Sequence, residues 1–207
     1  MAEIRQERAV RTREVLLRAA AEEFDEKGYA AALINQILAR AGLTAGAMYF
    51  HFKSKEDLAV AVMNAQKQTI EPRLSSRGLQ RLVDITLVWA HRLRVDPLLR
   101  AGVRLAVEQG SFGMHDPSTF LEWREIMITC LADADQDGEL MPGVVPEHIA
   151  EFVVGACTGI QLYSNLVNGR EDLVERTIRM WELLLPGLAV PDAARAISLE
   201  AERGQVS

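Results

Sequence analysis

Apolar residues recur along the chain at three- and four-residue spacing, the spacing that buries one face of a helix. In the first such segment, residues 5–27, Leu16, Ala20 and Phe24 share one face. Gly28 follows this segment, where a C-terminal cap belongs. Further helices are predicted at 33–40, 45–52, 54–71, 78–95, 97–109, 118–137, 146–168 and 170–186. No run of alternating β-branched residues predicts a strand, so the predicted fold class is all-α.

The predicted helices at 33–40 and 45–52 are joined by a tight turn, which gives a helix-turn-helix. Thr44 is a candidate N-cap, because its hydroxyl can accept from a free N–H of the next turn. Met48 and Phe52 lie four residues apart and can face inward together. The outer side then carries small residues that allow close approach, and polar side chains that can reach phosphates. The candidate DNA-contacting residues here are Thr44, Ala45, Gly46, Tyr49, His51 and Lys53.

Charge is divided unevenly along the chain. The formal net charge is −6, yet residues 1–70 carry ten Lys or Arg against nine Asp or Glu. Five arginines stand in the first eighteen positions, where a helix end can touch phosphates: Arg5, Arg8, Arg11, Arg13 and Arg18. Residues 1–70 are thus nearly neutral and residues 71–207 are acidic. This division predicts weak non-specific DNA binding, because phosphate neutralisation drives such binding.

Several motifs with fixed spacing occur within residues 8–60: Thr12-Arg13, Ala19-Ala20, Phe24, Gly28-Tyr29, Ala41-Gly42-Leu43-Thr44, Tyr49-Phe50-His51-Phe52, and Lys55 with Leu58. Through these motifs residues 8–60 resemble the DNA-binding domain of the TetR family. Arg13 belongs to the first motif and joins the predicted DNA-contacting residues. The resemblance implies a homodimeric repressor of transcription that binds double-stranded operator DNA. Residues 1–53 would form its helix-turn-helix domain, and residues 54–207 a helical ligand-binding and dimerisation domain.

Five further features lie beyond residue 60: Arg100-Ala101-Gly102-Val103-Arg104-Leu105, Trp123, Gly138-Glu139-Leu140, Gly155 to Gln161, and Leu185 to Pro191. They are similar to the γ-butyrolactone receptor branch from antibiotic-producing actinomycetes. In that branch a Trp at the position of Trp123 lines the ligand cavity, and Gln66 matches a polar ligand contact. Thr158 or Gln161 could add a hydrogen bond from the opposite wall. The implied inducer is a γ-butyrolactone-type signal, and the implied role is control of antibiotic or secondary metabolism.

The predicted dimer surface lies on the last two long helices, through which TetR-like proteins pair. Gly155 and Gly159 form a small-xxx-small step that lets helices approach closely, and Ile178 and Trp181 add apolar area. Two paired heads would read half-sites one or more turns (~34 Å each) apart on a pseudopalindrome. Bound ligand would tilt the 54–71 helix, and by linkage operator DNA must weaken ligand binding by the same factor.

Two departures from the family pattern touch the predicted DNA surface. Family members usually carry Lys at the position of Ala45, and threonines where this chain has Leu33 and Asn35. Losing one Lys removes about one released counterion, which predicts weaker binding and a shallower salt dependence. The expected consequence is that the protein reads a variant operator sequence, or that it needs a higher operator occupancy to repress.

Several features imitate other sites. The run Asp133 to Gly138 resembles an EF-hand loop, but Val144 stands where that loop needs a glutamate. Cys130 and Cys157 form no CxxC and are expected to be buried reduced thiols. The four histidines lack metal spacing and no catalytic motif occurs, so we expect neither enzyme activity nor a cofactor or metal.

The N-terminus has no apolar signal core, and the most apolar stretch, 149–167, is interrupted by polar residues. We therefore expect no membrane association and a cytoplasmic protein that joins the nucleoid when bound to its operator. The tail from Gly204 is expected to fray. Three alternatives stay open: a pseudo-receptor responding to an antibiotic or biosynthetic intermediate, an efflux regulator, which the low aromatic content disfavours, and a helical enzyme or interaction module without DNA binding.

Overall fold

The computed structural model describes residues 2–65 and 74–205, with side chains from residue 6 onward. Within these residues the chain is helical, which confirms the all-α fold class. The helices are α1 (Ala2–Ala31), α2 (Ile34–Ala41), α3 (Ala45–His51), α4 (Lys55–Asn64), α5 (Gly78–Val95), α6 (Pro97–Val107), α7 (Ser118–Gln136), α8 (Pro146–Asn168), α9 (Leu173–Leu188) and α10 (Pro191–Ala196), with 3-10 turns at Gln109–Phe112 and Ala201–Gly204. None of these described helices is long and apolar enough to cross a bilayer.

The described chain forms two compact units, and the first contains α1 to α4 together with α6. This division differs from the predicted boundary after residue 53, because α4 and α6 share the core of α1. Leu58 and Val62 of α4 and Leu105 of α6 are fully buried in one cluster with Leu16 and Phe24. The end of the predicted 54–71 helix lies outside the described residues.

Polar contacts fasten α6 to the end of α1. The Arg100 Nε donates to Asp25 Oδ2 at 2.7 Å, and the Arg104 Nη1 donates to the Asp25 carbonyl at 2.7 Å. Gly28 interrupts α1 with a φ of 72°, where an added Cβ would lie 2.5 Å from Arg104 Nη2. Only glycine fits this left-handed, crowded position. The string Arg100–Leu105 therefore serves the packing of the first unit, which contains the predicted helix-turn-helix and is termed the reading head.

The second unit is built around α5, which packs against α7, α9 and the last 3-10 turn. Side chains on nearly every face of α5 are buried, so the helix forms the centre of this unit. Inside it, the Trp181 Nε1 donates to Thr86 Oγ1 at 2.7 Å, and the Thr86 hydroxyl donates to the Val83 carbonyl at 2.8 Å. These bonds satisfy polar groups that would be costly to bury unpaired.

The Gly138–Leu140 string ties the second unit together through Glu139. Its carboxylate accepts from the Leu79 N–H at 2.8 Å, which satisfies an unpaired N–H in the first turn of α5. Its carbonyl accepts from the Val190 N–H at 2.9 Å, after the end of α9. An added Cβ at Gly78 would lie 2.4 Å from the Glu139 carboxylate. The Gly138–Leu140 string is thus explained by contacts within the second unit.

The acidic run 133–138 forms ion pairs within the protein, and the two cysteines are buried thiols, as expected. Arg77 pairs with Asp133 at 3.4 Å and Asp137 at 3.5 Å, so a cation of the protein faces the run that imitates an EF-hand. Cys130 and Cys157 are free and buried. Burial raises the pKa of the Cys157 thiol to about 12 and also raises that of Cys130. Both groups are therefore poor nucleophiles.

Gly204, where fraying is expected to begin, is held in place, because the segment before it is bound to α5; residues 206–207 lie outside the described residues. The Arg203 guanidinium donates to both carboxylate oxygens of Asp84, at 2.6 and 2.7 Å. The Ser198 N–H donates to Gln80 Oε1 at 2.8 Å, and the Gln80 amide donates back to the Ser198 carbonyl. Gly204 itself is buried.

An Arg203→Ala variant is expected to lower the free energy of unfolding by about 2 kcal/mol, because it removes the cation paired with buried Asp84. The loss is smaller than for a fully buried pair, since 33% of the Arg203 side chain is exposed. Urea unfolding at fixed protein concentration measures it. Arg195→Ala breaks an exposed pair with Asp192 and is the matched control. Equal urea midpoints for the two variants would contradict a stabilising role of the Arg203–Asp84 pair.

Candidate DNA interface, ligand site and dimer face

The predicted helix-turn-helix is present as α2, a turn and α3. Gly42 ends α2 with a left-handed φ of 65°, and its N–H donates to carbonyls of the last turn. Thr44 caps α3 as predicted, since its side chain accepts from the Ala47 N–H at 3.3 Å. Met48 and Phe52 are buried, at 0% and 3% exposure. These two anchors fix which side of the short α3 faces outward.

A reciprocal cap joins α3 to α4. The Ser54 hydroxyl accepts from the Asp57 N–H at 3.1 Å, and the Asp57 carboxylate accepts from the Lys53 N–H at 3.1 Å. The acidic variant of a capping box is thereby present, shifted by one residue on its return bond. It fixes the backbone of Lys53, one of the predicted phosphate contacts.

The predicted DNA-contacting residues lie on the outward side of this motif. Ala45, Gly46, Tyr49 and Lys53 are exposed, as is Thr44 beyond its cap, and His51 is half-buried at the end of α3. Leu33 is 55% exposed and supplies no side-chain cap to α2. The site geometry therefore makes these side chains available to a duplex.

Arg13 reaches the same surface from α1. Its guanidinium lies over the Phe52 ring, 5.3 Å from the centroid, a distance typical of a cation–π contact. Arg13, His51 and Phe52 line one groove with Asp57 of α4. The guanidinium of Arg13 thus lies beside the end of α3, the predicted reading helix.

A charge cluster around buried Glu23, not foreseen from the sequence, holds α2 against α1. Glu23 is fully buried and pairs with Lys27 at 2.8 Å and with Arg40 of α2 at 3.2 Å. Arg40 also pairs with Glu26 at 2.7 Å, and this contact lowers the pKa of the Glu26 carboxyl. The sequence spacing of Arg40 from these glutamates gives no local signal of the contact.

The Gly28-Tyr29 and Lys55 motifs meet in the structure. The Tyr29 hydroxyl donates to Glu56 Oε1 at 2.8 Å, and the Lys55 Nζ lies 4.4 Å from the Tyr29 ring centroid. Burial and the bond to Glu56 raise the pKa of the Tyr29 phenol, while desolvation lowers the pKa of Lys55. These contacts fix the start of α4 against α1.

Trp123 lies on the inward stripe of α7. Thr119 and Met127, one turn away on either side, are buried, and so is Cys130. Trp123 is itself only half-buried. A large ring that faces inward but is incompletely covered can still accept an apolar ligand.

The other predicted ligand contacts differ in what the structure says of them. Gln66 lies outside the described residues. The Thr158 hydroxyl donates to the Val154 carbonyl of its own helix at 2.8 Å and keeps its acceptor capacity. Gln161 is buried, and its Oε1 accepts from the Arg170 guanidinium at 3.4 Å. Part of its hydrogen-bonding capacity is therefore used in the turn after α8.

An apolar groove of about 400 Å³ follows α8 and α9. It is lined by Phe152, Ala156, Gly159, Ile160, Tyr163, Arg176, Arg179, Met180, Leu183 and Leu184. An added Cβ at Gly155 or Gly159 would meet no described atom within 4 Å. Leu183 is 78% exposed and Leu166, farther along α8, 84%. Exposed apolar side chains along such a groove are typical of interaction surfaces.

One of the predicted dimer residues has no exposed surface. Trp181 is fully buried within its own protomer, because its indole packs toward α5 and bonds to Thr86. Its place on the predicted dimer surface is corrected accordingly. Ile178, which is half-buried, stays a prediction, as do Gly155 and Gly159.

Comparison with known proteins gives two matches to family models. The model described as bacterial regulatory proteins, tetR family, matches residues 16–62. The model described as tetracyclin repressor-like, C-terminal domain, matches residues 76–191. The first covers the capped helix-turn-helix, and the second covers α5 to the end of α9.

Individual relatives extend the likeness over nearly the whole chain. The A-factor receptor protein of Streptomyces griseus is 39% identical over 95% of this chain and 70% of its own length. The crystal structure of TylP, a TetR regulator from Streptomyces fradiae, is 40% identical with a TM-score of 0.87, covering 96% of each chain. A γ-butyrolactone receptor (ArpA-like protein) is 31% identical with a TM-score of 0.73, covering 96% of this chain and 98% of that one. The chain belongs to the tetR family of bacterial regulatory proteins.

Proposed function

We propose that this protein is a transcriptional repressor that binds a pseudopalindromic operator and is released by a γ-butyrolactone-type signal. The observation that carries the DNA-binding part is the α2–turn–α3 motif, with Thr44 capping α3, Met48 anchoring it, and Tyr49 and Lys53 exposed. Members of this family are transcription factors, which speaks against the alternative of an enzyme. We place the protein in the cytoplasm, on the nucleoid when it holds DNA.

The proposed assembly is a homodimer formed through the groove face of α8 and α9. Its apolar exposed side chains, Leu166 and Leu183 among them, support a second copy as the occupant, and dimers are typical of the family. A two-fold dimer would present two copies of α3 to two half-sites of the operator. The centres of these half-sites would lie one turn of DNA, or a small number of turns, apart.

The proposed ligand is a γ-butyrolactone, as the relatives named for A-factor and γ-butyrolactone recognition suggest. Trp123 would contact its alkyl part, with Gln66 and either Thr158 or Gln161 as polar contacts. Repression would then bear on antibiotic or secondary metabolism. Ligand binding in the second unit would release DNA through the helix that leaves the reading head.

Fluorescence anisotropy tests this proposal on a labelled palindromic duplex from upstream of the protein's own gene, titrated with a γ-butyrolactone panel. Salt-dependent binding that one lactone abolishes is the expected result. Binding that no lactone disturbs would instead support the pseudo-receptor, and a panel of antibiotics would follow. No preference for this duplex over random DNA would contradict repression by operator binding.

An Ala45→Lys variant is expected to bind operator about fivefold more tightly per head at ~0.15 M salt, because each head gains about one phosphate contact. The slope of log affinity against log salt should steepen by about one per head. Ala132→Lys, at an exposed position of α7, adds the same charge far along the chain and is the control. Equal affinities and slopes for both variants would place Ala45 away from the phosphates.

A further inference from the structure

We propose that α3 reads thymine methyl groups in the major groove through the side chain of Phe50, an inference that rests on the proposed DNA-binding function. Phe50 is 79% exposed, the largest exposed fraction among the big apolar side chains described in the first unit. Tyr49 beside it is 54% exposed, so two adjacent aromatic side chains are open to solvent on the predicted reading helix. Adjoining exposed apolar groups are typical of interaction sites.

The position of Phe50 on α3 is central to the outward side. At about 100° per residue, Phe50 lies about 200° around the helix from Met48, which is fully buried. Gly46, one turn earlier, shares that outward side and carries no side chain. The backbone of α3 can therefore approach a groove floor closely, and Phe50 is the large side chain that then meets it.

The orientation of the Phe50 ring is supported by its neighbour. The His51 ring meets Phe50 edge to face, with centroids 5.0 Å apart and planes at 89°. Such aromatic pairs are favourable beyond their buried area. An oriented ring suits contact with a small apolar group, since little side-chain freedom is then lost on binding.

The chemistry of α3 favours apolar readout over hydrogen-bonded readout. Its sequence, Ala45 to His51, contains no Asn, Gln, Arg, Lys, Asp or Glu, the residues that make bidentate or accepting contacts with base edges. Tyr49 and His51 are its polar side chains, and both are predicted to contact phosphates. The thymine C5-methyl is the apolar group of the major groove, and Phe and Ala contact it.

The test begins with selection of duplexes from a random pool by the full-length protein. In the selected site, uracil then replaces thymine at one position at a time in both half-sites, which removes only the C5-methyl. At one position we expect affinity to fall about fourfold per methyl, and about fifteenfold for the symmetric pair. Phe50→Ala should bind thymine and uracil duplexes equally, and Phe50→Leu should keep a reduced preference.

Leu33→Ala is the matched control, because Leu33 is also an exposed apolar residue of the reading head but lies before α2. It should keep the full thymine preference. Selected sites without a fixed thymine, equal binding of uracil duplexes by the unaltered protein, or an undiminished preference in Phe50→Leu would each overturn the inference while leaving DNA binding intact. If no duplex is enriched at all, the proposed function itself fails.

Discussion

Replacing Trp181 with alanine is expected to lower the free energy of unfolding by about 4 kcal/mol, the range for a fully buried large side chain. The indole has no exposed surface and its N–H donates to the Thr86 hydroxyl, so the variant loses packing and a buried hydrogen bond together. Denaturant unfolding at a fixed protein concentration measures the loss, because the proposed dimerisation would make stability depend on concentration.

Trp181→Phe separates the two contributions. It keeps most of the apolar volume but removes the donor to Thr86, so about 1–2 kcal/mol should be lost. Sedimentation should show an unchanged dimer dissociation constant for Trp181→Phe, since its side chain lies inside the protomer. Leu183→Ala, on the groove face, should weaken the dimer instead. Weaker dimerisation in Trp181→Phe with unchanged stability would return Trp181 to the interface.

Replacing Trp123 with alanine is expected to weaken butyrolactone binding about 100-fold while operator affinity stays unchanged. A large ring that contacts an alkyl chain in a partly closed site is worth about 2–3 kcal/mol when truncated. Because release of DNA is driven by the ligand's differential affinity, the lactone concentration needed for release should rise by the same factor. Isothermal titration and anisotropy together measure both quantities.

Leu121→Ala is the control for Trp123, because it lies on α7 two residues away with 48% of its side chain exposed to solvent. It should leave the lactone response intact. Trp123→Phe, which keeps an aromatic ring of smaller area, should give an intermediate loss. A Trp123→Ala protein that releases DNA at the original lactone concentration would refute the role assigned to Trp123.

Features set by residues near each other in sequence could be predicted from sequence. The cap of Thr44 on α3 and the burial of Met48 and Phe52 follow from spacings of three and four residues. The turn at Gly42 follows in the same way, because its left-handed φ suits glycine. Local pattern was therefore sufficient for the reading head's motif.

Features set by distant pairs could not be predicted. Arg203 and Asp84 are 119 residues apart, and no local pattern indicates that the segment around Arg203 is bound to α5. The predicted place of Trp181 on the dimer surface is wrong for a related reason. Helical periodicity shows that a side of α9 is apolar, but it cannot say whether an indole packs on its own protomer or on a partner. The bond to Thr86, 95 residues away, decides this in the folded chain.

The most direct test of a ligand-responsive repressor measures the coupling between its two proposed sites in both directions. The affinity of the active lactone is titrated with free protein and with protein saturated by operator, and operator affinity is measured with and without lactone. If one protein couples the two sites, operator must weaken lactone binding by the same factor by which lactone weakens operator binding. Equal lactone affinities for the free and operator-bound protein would contradict the proposed release mechanism.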